Sequence, residues 1–193
     1  MNEIQLIRAQ LDLERSHARA AADAAATALA RATPAALASG TPLETFRQAC
    51  VDYLVCVLAW FEERDRRLAA LVNQYGPEHP TRDALDAALA RRGRSREALE
   101  KLEAAFAAAP EAAAASGAKS AWTEFAQFFG GPWSSRRDAL DALLAANSRA
   151  SDWRLMGGID ADAILEERSR YTRVEETLPP GVPLGVPPKK ACP

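Results

Sequence analysis

The chain has 193 residues, a formal net charge of −2, a pI near 5.8, and 43 alanines. Leu, Ile, Val and Phe together number only 38, so alanine supplies almost half of the 48% hydrophobic fraction. Ala is the strongest helix former, and so few β-branched and aromatic residues leave little from which to build a sheet. The mild acidity argues against a general nucleic-acid binder, whose domain would be basic.

The first helix is expected over about residues 2–32, with Ile4, Ile7, Leu11, Ala18, Ala22, Ala25 and Leu29 as its inner stripe. Charges are spread through these residues, so there is no signal-peptide core, and no apolar run is long enough to span a bilayer. A cytoplasmic location is the expectation. Glu14 falls inside the stripe, whereas His17 lies about 100° to one side.

The second helix has the clearest start signal, Thr41-Pro42-Leu43-Glu44: an N-cap, a proline in the first helical position, and a Glu placed for a capping box. It should end near Tyr75, before Gly76-Pro77. Phe46, Cys50, Tyr53, Leu54, Val57 and Phe61 share one face, and Arg64 falls on that same face. Cys50 and Cys56 stand about 240° apart around the helix and cannot bridge without breaking it.

A third helix over 81–109 repeats Leu85, Arg92, Leu99 and Phe106 every seven residues, the pattern of a left-handed supercoil. The arginines at 91, 92, 94 and 96 wrap around it, which favours a solvated stretch over a phosphate-binding patch. A short aromatic helix follows (Trp122, Phe125, Phe128, Phe129), and a fourth helix over about 133–146 carries Arg136, with Asn147 next in phase. After Gly157-Gly158, Asp160 can cap a last helix running to about Glu176, with Glu166 and Arg170 paired on its surface. Residues 179–193 repeat Gly-Val-Pro and read as an extended tail, disordered unless docked.

The fold class is therefore all-α: an up-and-down four-helix bundle over 1–155, an additional C-terminal helix over 156–178, and a Pro/Gly-rich tail over 179–193. That helix must pack on the bundle or on another chain, which makes a homodimer or a protein partner the expectation, with no nucleic acid and no membrane. The candidate core polar cluster is Glu14, Arg64 and Arg136, with His17, Arg92 and Asn147 as weaker candidates. A buried Arg must be paired, so Glu14 is expected to contact Arg64 or Arg136.

Several of these features resemble the hemerythrin-like (HHE cation-binding) bundles. Leu13-Glu14-Arg15-Ser16-His17 resembles that family's first-helix Leu-x-x-x-His region, an aromatic run precedes helix four, and Asp152-Trp153 resembles the Asp-Trp that follows it. The resemblance implies a di-iron or similar centre held by His and Glu. The chain departs from it where those ligands belong. The family's Glu-Glu pair falls at Arg136-Arg137, the preceding His at Pro132 or Trp133, and no His-x-x-x-Glu pair exists. His79 lies in the turn after helix two. The expectation is thus a non-catalytic bundle with a degenerate metal site, no cofactor and an interaction or regulatory role. The competing readings are a metal-binding protein of oxygen sensing or iron handling, and a binder of a small anion in an Arg-lined core.

Overall fold

The computed structural model describes residues 3–30, 32–37, 40–75 and 161–185, with further positions scattered through 82–104 and at 120, 123 and 124. Among the described residues every regular element is helical: α1 (Glu3–Ala30), a 3₁₀ turn (Pro34–Leu37), α2 (Pro42–Tyr75) and α3 (Ala161–Glu176). The limits expected for the first, second and last helices agree with these within two or three residues.

The link between α1 and α2 is organised by one hydroxyl. Thr41 Oγ1 donates to the Ala36 carbonyl at 2.7 Å and accepts from the Glu44 amide at 3.2 Å. It caps α2 and fastens the preceding turn to it at the same time. Gly40, with φ of 80°, supplies the left-handed residue that the reversal needs. The Glu44 carboxylate, placed by sequence for a capping box, lies 3.3 Å from Arg47.

α1 and α2 run antiparallel, because Glu14 in the first half of one meets Arg64 in the second half of the other. Their seam is asymmetric in size. α1 contributes mainly small residues, with Ala18, Ala21, Ala22, Ala24, Ala25 and Ala28 all buried, and α2 supplies the bulk through Phe46, Tyr53, Leu54, Val57 and Phe61. Small side chains on one helix let the backbones approach closely while the large ones on the other fill the space between. Cys50 is buried in this seam, and both Cys50 and Cys56 are free thiols.

The described positions between 82 and 104 are helical, and one of them, Leu99, reaches the core. Leu85, Arg92 and Phe106 of the heptad pattern lie outside the described residues, as do the aromatic residues 122 to 129 other than Thr123 and Glu124, and the whole of the fourth helix.

α3 packs against both α2 and α1 of its own chain, burying Glu167, Tyr171 and Val174. The surface pair expected from spacing is present, with Arg170 Nη2 donating to Glu166 at 2.9 Å. The chain then turns at Gly181, and Leu178, Val182 and Leu184 pack partly buried against the core. So the first part of the Pro/Gly-rich tail is docked, because its sparse aliphatic residues find an apolar surface; residues 186–193 lie outside the described residues.

Candidate functional site

Four charged residues are buried among the described residues: Glu14, Arg64, Asp65 and Glu167. Burying a charge costs several kcal/mol unless partners compensate, about as much as a small domain's whole margin of stability. These residues therefore mark where the chain accepts a cost; Glu14, Arg64 and Glu167 lie in two adjoining groups.

The first group is the pair Glu14 and Arg64, at 1% and 3% exposure. The two nitrogens of the guanidinium fork reach the two carboxylate oxygens, Nη1 to Oε2 and Nη2 to Oε1, the latter at 3.3 Å. Gln10 Nε2 donates to Glu14 Oε1 at 3.2 Å. The guanidinium carbon lies 5.9 Å from the centroid of the Phe61 ring, one turn earlier on α2. A bidentate, charge-assisted pair backed by an aromatic face is the arrangement in which a buried arginine is tolerated.

The second group is centred on Glu167. Its Oε1 accepts from Tyr53 Oη at 2.7 Å and from His17 Nδ1 at 2.9 Å, so one oxygen of α3 receives a donor from each helix of the hairpin. A carboxylate oxygen can only accept here, so Nδ1 carries the hydrogen. The His17 ring stacks on Tyr171, centroids 3.9 Å apart and planes 13° from parallel. Tyr171 in turn tilts against Tyr53 at 5.4 Å. Burial pushes the Tyr53 phenol well above its ordinary range, and the negative charges of Glu167 and Glu14 push it further. Tyr53 therefore stays protonated and keeps donating. Burial, with the carboxylates of Glu175 and Glu167, also lifts Tyr171 to about 12. The Cys50 thiol is raised by burial alone, which suppresses its reactivity.

Of the residues singled out from sequence, Glu14 and Arg64 are brought together, and His17 joins the second group from the edge of the α1 stripe. Arg92, Arg136 and Asn147 lie outside the described residues, as do positions 132, 133 and 137. Sequence reasoning missed Glu167 and the donor role of Tyr53. A signal existed: Ile164, Glu167, Tyr171 and Val174 recur at helical spacing on one face of α3.

Among the described residues no group of three or more His, Cys, Asp or Glu side chains is placed to hold a metal ion. Glu14 is paired with the Arg64 guanidinium, whose positive charge would repel a cation brought to that carboxylate. The described member of the arginine run is also satisfied, since Arg96 pairs with Glu62 and lies 3.5 Å from Glu100. No family model, curated protein or solved structure matches the chain.

Proposed function

We propose that the chain is a non-catalytic bundle protein with an interaction or regulatory role, of hemerythrin-like architecture, with an ion pair and a carboxylate network where that family holds metal. It would act in the cytoplasm with a second copy or a protein partner. The observation that carries this reading is the buried pair of Glu14 and Arg64. A fixed positive charge against the carboxylate fills the coordination role with a proton-independent cation of the protein's own. The reading as an anion binder loses its main cation, because Arg64 is already neutralised.

Metal analysis decides the matter. Protein purified from iron-supplemented culture is expected to contain far less than stoichiometric iron and to show no visible charge-transfer band. Stoichiometric iron with such a band would overturn the proposal in favour of an oxygen-sensing or iron-handling protein.

A further inference from the structure

We draw no further inference here: the strongest candidate, the apolar cleft between α2 and the described helical positions from 89 to 100, walled by Val55, Leu58, Leu89 and Leu99, carries nothing, because Arg96 at its rim is already paired with Glu62 and Glu100 and nothing in the structure shows what covers it.

Discussion

Glu14 and Arg64 are costly residues individually and tolerable only together. Glu14→Ala leaves a guanidinium in the interior with its main counter-charge gone, and is expected to destabilise the fold by about 3–5 kcal/mol. Replacing both partners, as Glu14→Leu with Arg64→Met, removes the two desolvation costs at once and should recover most of that loss. Urea unfolding of the single and double variants measures this. Losses that simply add in the double variant would show that the two side chains do not depend on each other. The position of Arg64 on the apolar face of α2 was legible from helical phase, and so was its need for a partner. Its choice of Glu14 depends on the register of the two helices, which a single sequence does not specify.

At the scale of elements, the start of α2 shows local chemistry read correctly and then extended by packing. Thr41-Pro42-Leu43-Glu44 defines a cap whatever surrounds it, and Thr41 indeed accepts from the Glu44 amide. The second bond, from the same hydroxyl to Ala36, appears only once the 3₁₀ turn is folded against the helix. Thr41→Ala should therefore cost about 1 kcal/mol or somewhat more, toward the upper part of the range for a lost cap, while Thr41→Ser retains the hydroxyl and most of the stability. The midpoint of urea unfolding reads both, and an Ala variant indistinguishable from the Ser variant would remove the hydroxyl from the account. Glu167 is the contrasting case. Its helix and face were legible, but two adjacent glutamates serve opposite ends, Glu166 holding Arg170 at the surface while Glu167 is buried against two donors.

For the whole molecule, the phenols that join the three helices make stability depend on alkaline pH. Burial raises Tyr53 above the usual phenol range and lifts Tyr171 to about 12, whereas both ionise near pH 10 once unfolded. Above about pH 10 the folded chain therefore holds more protons than the unfolded one, and stability must fall with rising pH. The stabilisation is complete below the unfolded value and is lost as pH rises through the folded one. Urea midpoints are expected to begin to decline near pH 9, where the buried Cys50 thiol ionises once unfolded, and to fall more steeply above about pH 10, with a shallower decline in Tyr53→Phe because one raised phenol is gone. An equally steep decline in that variant would place the alkaline sensitivity elsewhere.

What the amino-acid sequence determined by itself, among the described residues, is the first, second and last helices and their inner faces. Alanine content, the Thr41 cap, the proline and glycine breaks and the 3.6-residue spacing are local properties, and each acts within a few residues of chain. Tertiary structure alone decided which polar groups meet. Glu14 is 50 residues from Arg64, and His17 is 150 from Glu167. Such partners are selected by how α1, α2 and α3 dock, and docking is governed by the shape of an alanine-lined seam and by where a buried charge can find its complement.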